Sequence, residues 1–226
     1  GMGLMGFGGL LSAFELIDNS FYRVNTGAGK HAPPLSADQP YYAIIEMLGS
    51  QQERDTELFE TVLGEAGERG YFDDAVLARS ESQRQQIWEI REDLEHVVRE
   101  FQPFYAFDVS LPVGDMQAYI AAVTDRLKQR WPEGKIAFLG HMGDGNLHIA
   151  IGAGGADDRH RVEECVYEPL RPIGGSISAE HGIGLEKKPW LDVSRSGPER
   201  GLMAEIKRLL DPGNILNPGK IMDMRP

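Results

Sequence analysis

The sequence predicts an α+β fold: a duplicated unit in which an antiparallel sheet is covered by helices. Three observations carry this. Apolar residues switch repeatedly between a period near 2 and a period near 3.6. The alternation runs through two comparable blocks, before and after about residue 113. Asp144-Gly145 sits between two apolar runs, the pair preferred in a tight hairpin, so neighbouring strands are antiparallel. With 226 residues and 41% hydrophobic content a sizeable core is expected, and residues 1–226 are read as a single domain.

The elements follow in order. Leu10, Phe14, Ile17 and Phe21 have helical spacing, which predicts a helix over 10–24. TGAGKHAPPLSADQ (26–39) is a Gly/Pro loop. YYAIIEML (41–48) reads as a strand, 53–70 as a charged helix closed by Gly70, and DDAVLARS (73–80) as a strand. Ile87, Ile90, Leu94 and Val97 predict one long helix over 81–101. FYAFDVSLP (104–112) is a strand ended by Pro112. A helix is predicted over 114–131, strands over 135–141 and 146–153, a helix over 156–173, a strand over 175–182 and a last helix over 198–212.

Bulk composition excludes some classes. A net charge of −12 argues against nucleic acid as a partner. The single cysteine, Cys165, excludes an intrachain disulfide, fits a reducing, cytoplasmic setting and reads as a small buried apolar residue. No apolar run reaches the ~20 residues of a spanning helix. The glycine-rich start lacks the basic region of a signal peptide, and Gly1 before Met2 reads as a tag residue. Gly1, Gly3 and Gly6 match a dinucleotide fingerprint, but no strand precedes them, so the match carries no site.

The richest chemistry lies in GHMGDGNLHIAI (140–151). A two-residue turn at Asp144-Gly145 would place His141 opposite His148, with Cβ atoms about 4.5–5.5 Å apart on one face. Two readings stand at this point: a polar cross-strand pair at a sheet edge, or two ligands of one metal ion such as Zn²⁺ or Mn²⁺. A metal would want a third ligand, and GSISAEHGIG offers Glu180 and His181. Neighbours on a strand face opposite ways, so Glu180 would reach the metal and His181 would act as a base on the far side. His31, His96 and His160 read as surface residues. Arg91, in IWEIREDL, could grip a carboxylate with both terminal nitrogens, or could be a solvated helix residue sharing its charge with Glu95.

GHMGDGNLHIAI, SISAEHGIGLEKKPWL and LLDPGNILNPGKIM, in this order and with LSAFELID and FYAFDVSLP, resemble the C-terminal domain of FAD-linked oxidases related to vanillyl-alcohol oxidase. The branch they are most similar to holds glycolate oxidase, D-lactate dehydrogenase and D-2-hydroxyglutarate dehydrogenase. The resemblance implies a duplicated ferredoxin-like α+β sandwich. It implies an enzyme that oxidises a D-2-hydroxy acid to a 2-oxo acid and passes hydride to FAD. It implies a divalent metal held by His141, His148 and Glu180, proton removal by His181 beside the flavin, a substrate carboxylate on Arg91, and Asn217 near the flavin. It also implies an electron-acceptor protein or a quinone as redox partner, through which the enzyme would meet a membrane, and leaves a homodimer open.

The chain departs from the hydroxyglutarate pattern at three places: Ala106 stands where that branch has a lysine, Glu95 where it has a threonine, and Ala150 where it has an asparagine. No glycine-rich pyrophosphate loop follows a strand. The chain is therefore expected to be the substrate and cap half of a flavoenzyme, with FAD held mainly by an N-terminal domain, and to carry no stoichiometric flavin by itself. The alternatives are a stand-alone metal or small-acid binding protein, and a His-His-Glu metal hydrolase with an open water position. Hydrolysis is disfavoured because no oxyanion donors are evident.

Overall fold

The computed structural model describes residues 7–27 and 30–224; the glycine motif at Gly1–Gly6 lies outside them. Two compact units form, Gly1–Glu100 with Ala137–Gly143, and Phe101–Ile136 with Asp144–Pro226. Each combines antiparallel strands with helices, the α+β class the sequence predicts.

In the first unit the elements are β1 (Leu11–Asp18), α1 (Asn19–Thr26), β2 (Tyr41–Met47), α2 (Gln52–Glu68), α3 (Glu81–Glu92) and α4 (Glu95–Glu100). β1 pairs antiparallel with β2, placing Phe14 opposite Ile45, and with the end of β4 (Lys135–His141), placing Glu15 opposite His141. The helix expected over 10–24 is therefore a strand followed by a short helix. Asp18 sets the boundary. Its carboxylate accepts from the Phe21 N–H at 2.8 Å, an N-cap that starts the helix only at Asn19. The long helix expected over 81–101 also breaks. Asn25 Nδ2, from α1, donates to the carbonyls of Ile90 at 2.9 Å and Asp93 at 2.7 Å, and the chain turns extended at Asp93. Those carbonyls would otherwise continue the helix ladder, and Leu94, expected on the apolar stripe, is exposed. Residues 73–80 form no strand among the described residues.

In the second unit the elements are β3 (Phe104–Ser110), α5 (Met116–Arg130), β5 (Asn146–Gly152), α6 (Arg159–Tyr167), α7 (Leu191–Ser194) and α8 (Gly197–Leu210). β3 and β5 pair antiparallel from Phe104 opposite Gly152 to Ser110 opposite Asn146. Tyr105, Phe107 and Val109 alternate with Leu147, Ile149 and Ile151 on one face, all buried. Val123 and Leu127 of α5, and Val162, Cys165 and Val166 of α6, complete the core. The helix expected over 156–173 is α-helical only at 159–167. Its continuation carries Pro169 and Pro172, which lack the N–H an α-ladder needs, and tightens to a 3₁₀ turn. The strand expected over 175–182 reduces to one bridge, Ser110 with Ser176. α8 starts at a Ser196/Glu199 capping box and turns Leu202, Ile206, Leu209 and Leu210 to solvent.

β4 and β5 are joined by Met142–Gly145. The expected two-residue turn needs positive φ at both Asp144 and Gly145; only Gly145 has it, at +68°. A side chain at Gly145 would also run into the Leu111 carbonyl. Gly143 has neither constraint. Gly145→Ala is expected to destabilise by on the order of 2 kcal/mol, a fall in Tm of roughly 4–8 °C, while Gly143→Ala leaves Tm within about 2 °C. Equal losses in thermal unfolding would refute this account of the turn.

Asp18 gives a pH signature. Burial pushes its carboxyl up to about 6, against hydrogen bonds from the Phe21 and Phe138 backbones and from Ser20. The folded value lies above the unfolded one, so its contribution is present below the unfolded value and lost as pH rises through about 6. Asp18→Asn keeps an oxygen for the Phe21 N–H and cannot ionise. Between about pH 4 and pH 7 wild type should lose up to ~3 kcal/mol relative to the variant. Parallel urea-unfolding stabilities across that range would rule it out.

Candidate active site

In the second unit the site is built around a carboxylate. Asp108 of β3 lies directly opposite His148 of β5, so both side chains stand on the same face. Asp108 is wholly buried. Its Oδ2 accepts from three consecutive backbone N–H groups, Ala179 at 3.1 Å, Glu180 at 2.9 Å and His181 at 3.0 Å, and from the Ser178 hydroxyl at 3.3 Å. Lys187 Nζ lies 3.5 Å from the same oxygen. Burial alone would push the Asp108 carboxyl up; the backbone N–H groups of His181 and Glu180 and the Lys187 charge outweigh it and hold the group below the ordinary carboxylate range. Burial pulls the Lys187 ammonium down, opposed by Asp108.

This cradle changes the expected geometry of AEHG. Residues 179–181 are a loop wrapped over a carboxylate, not a strand, so Glu180 and His181 do not divide onto opposite faces. Both are exposed, and one ligand atom each from Asp108, Glu180 and His181 lie within 4.8 Å of one another. A ring nitrogen of His148 and a carboxylate oxygen of Glu180 also lie within 4.8 Å. Asn146 Nδ2 donates to Glu180 Oε1 at 2.5 Å. The His148 and His181 rings are 6.2 Å apart and nearly parallel. The other oxygen of Asp108, Oδ1, is buried without a hydrogen-bond partner and faces His148 Nδ1 at 3.9 Å.

In the first unit, the β1/β4 register puts Glu15 opposite His141. Glu15 is buried, and its Oε1 lies 2.7 Å from His141 Nδ1. A carboxylate only accepts, so Nδ1 is the donor in this contact. Arg91, in the last turn of α3, donates from Nε to Glu15 Oε2 at 3.1 Å. It is neither a solvated residue nor the partner of Glu95, which pairs with Arg99. Its two terminal nitrogens donate no hydrogen bond among the described residues.

Of the remaining residues, Asn217 is exposed with φ +48°. His160 is exposed, as expected. His31 and His96 are half-buried beside Asp93, at 2.9 Å and 3.8 Å. Ala106 and Ala150 are directly opposed, on the face that carries Asp108 and His148. Sequence reasoning missed Glu15, Asp108, Asn146 and Lys187. The available signal was a charged residue within an apolar strand, Glu15 in LSAFELID and Asp108 in FYAFDVSLP, which must find a buried partner.

The family described as FAD linked oxidases, C-terminal domain, matches residues 4–221. Among curated proteins, the chain is 34% identical over 218 residues to a D-2-hydroxyglutarate dehydrogenase of Stutzerimonas stutzeri (strain A1501), covering 93% of this chain and 47% of that protein. It is 37% identical over 218 residues to a mitochondrial D-2-hydroxyglutarate dehydrogenase of Arabidopsis thaliana, covering 95% of this chain and 38% of that protein. The chain thus spans less than half the length of these relatives. A solved alkyldihydroxyacetonephosphate synthase shares the fold, with TM-score 0.53 at 11% identity, over 92% of this chain and 39% of that one. By this match, which runs over residues 4–221, the chain belongs to the FAD-linked oxidase C-terminal domain family.

Proposed function

We propose that this chain is the substrate- and metal-binding part of an FAD-dependent dehydrogenase that oxidises a D-2-hydroxy acid to a 2-oxo acid, and that it acts as one domain of a longer protein. The observation that carries the reading is the clustering of His148, Glu180 and His181 around the Asp108 cradle. His141, His148 and Glu180 would hold a divalent cation such as Zn²⁺ or Mn²⁺. The donor set fits: two imidazoles and a carboxylate are the ligands such ions take, and a buried carboxylate backs each imidazole from the neighbouring strand. When bound, the metal supplies a Lewis acid to the substrate hydroxyl, and FAD supplies the hydride acceptor.

The chain's own residues do the rest. Arg91 presents its terminal nitrogens to the substrate carboxylate, with Nε braced on Glu15. His181, exposed at the end of a pinned loop, takes the hydroxyl proton on a ring nitrogen. Ala106 and Ala150 offer only methyl groups, so neither grips a second carboxylate; the length of the acid is set elsewhere. Asn217 would approach the flavin. The flavin-binding partner domain would cover the exposed apolar stripe of α8, Leu202, Ile206, Leu209 and Leu210, a face too apolar to leave in water. An acceptor protein or a quinone would be the redox partner of the intact enzyme. No helix among the described residues is long and apolar enough to cross a membrane.

Metal binding is tested directly. Zn²⁺ titration of wild type should give one tight site. His148→Ala should weaken it by at least ~10-fold, and acidification through the histidine range near ~6.5 should release the ion. Equal binding by both proteins would remove His148 from the site.

Arg91 and His181 should separate in kinetics and in stability. In the intact enzyme, His181→Ala should lower kcat and kcat/KM together and leave Tm nearly unchanged, because the ring is exposed. Arg91→Lys should mainly raise KM, since a lysine keeps the charge and loses the fork. Arg91→Ala should also destabilise, by about 3 kcal/mol, because it strips a partner from buried Glu15. Full turnover by His181→Ala would place the base elsewhere. An unchanged Tm for Arg91→Ala would show that the Glu15 pair is not needed for folding.

A further inference from the structure

Both histidines read as metal ligands have the same neighbour. Glu15 lies directly opposite His141 across β1/β4, and Asp108 directly opposite His148 across β3/β5. Each carboxylate is buried, and each faces Nδ1 of its histidine, at 2.7 Å for Glu15 and 3.9 Å for Asp108. Each also has its second oxygen engaged by donors: Arg91 Nε on Glu15 Oε2, and the N–H groups of residues 179–181 on Asp108 Oδ2. Asp108 Oδ1 is buried without a hydrogen-bond partner, and His148 Nδ1, a nitrogen that can carry a proton, lies 3.9 Å from it.

We propose that Glu15 and Asp108 are matched positioning residues, each fixing its histidine as the Nδ1–H tautomer so that Nε2 is left to bind a metal, and that Asp108 also sets Glu180 through the loop it pins. The proposal rests on the metal reading above for its ligand, but not for its tautomers. The chemistry is general. A carboxylate accepts and cannot donate, so it selects one of the two neutral imidazole forms and turns the other nitrogen outward. Such outer carboxylates orient ligating histidines and commonly govern metal affinity by 10–100-fold.

The amide variants make a sharp test. In Asp108→Asn the side-chain oxygen must stay on the N–H groups of residues 179–181, which leaves the amide NH₂ facing His148. In Glu15→Gln the oxygen must stay on Arg91 Nε, which leaves the NH₂ facing His141. An NH₂ donates, so each variant should drive its histidine to the Nε2–H form and block the ligand nitrogen. Long-range ¹H–¹⁵N spectra of the metal-free chain, recorded near pH ~8 where imidazoles are neutral, read the tautomer. Wild type should show Nδ1–H at both His141 and His148, each variant should flip only its own histidine, and Zn²⁺ affinity should fall about 10–100-fold in each.

An Nε2–H form of either histidine in wild type overturns the proposal for that residue. So does a flipped tautomer with unchanged Zn²⁺ affinity, or a loss of affinity with no flip, which marks a merely structural role. If a variant does not fold, the wild-type spectrum still decides. If wild type takes up no Zn²⁺, the metal reading fails, and the tautomers alone settle what the two carboxylates do.

Discussion

A charge placed where water cannot reach it must be surrounded by donors, and Asp108 organises the cluster of the second unit by meeting that demand. One oxygen gathers the N–H groups of residues 179–181 and the Ser178 hydroxyl, and Lys187 closes the cluster. Taking a carboxylate out of water costs several kcal/mol, so a loop that failed to wrap it would leave the unit unstable. The loop's shape is therefore dictated by the strand beneath it. The exposed positions of Glu180 and His181 follow from where their N–H groups must point.

Much of this was legible in the sequence, and the failures share a cause. Elements whose periodicity meets no competing long-range partner, such as 41–48, 53–70, 104–112 and 198–212, form close to where the pattern puts them. The predicted helix over 81–101 fails because Asn25, 65 residues away from Ile90, captures its carbonyls. The strand at 175–182 fails because a carboxylate from β3 outcompetes sheet pairing for the N–H groups of 179–181. The helix over 10–24 fails because pairing on both edges of β1 overrides a helical spacing of four apolar residues. His141, His148, Glu180 and His181 stand out from the sequence since they lie in compact motifs. Their supports do not: Asp108 is 72 residues from Glu180, and Glu15 is 126 residues from His141. Strand register brings Glu15 to His141, and the loop folded over β3 brings Glu180 to Asp108.

Arg91 shows why function and stability are hard to separate here. Its guanidinium has three nitrogens in one plane, and only Nε is taken by Glu15. That bond fixes the plane and so fixes the direction of the two terminal nitrogens before any substrate arrives. A lysine in its place would satisfy Glu15 or a substrate, not both. The same residue contributes to the fold through Nε and keeps its terminal nitrogens for the substrate carboxylate proposed to bind there.

The two units repeat this economy at the level of chemistry. In each, an antiparallel register sets an acid opposite a histidine, and in each the acid's second oxygen is engaged by a donor: an arginine in one, a loop backbone in the other. Directly opposed residues share a face whatever the twist of the strands, so the pairing is robust to small shifts in either unit. A one-residue slip would carry the histidine into the core face and leave the acid unpaired in a low-dielectric interior. The register thus ties each buried acid to one histidine: a slip at β1/β4 would cost Glu15 its contact with His141, and a slip at β3/β5 would carry Asp108 away from the loop N–H groups that satisfy it.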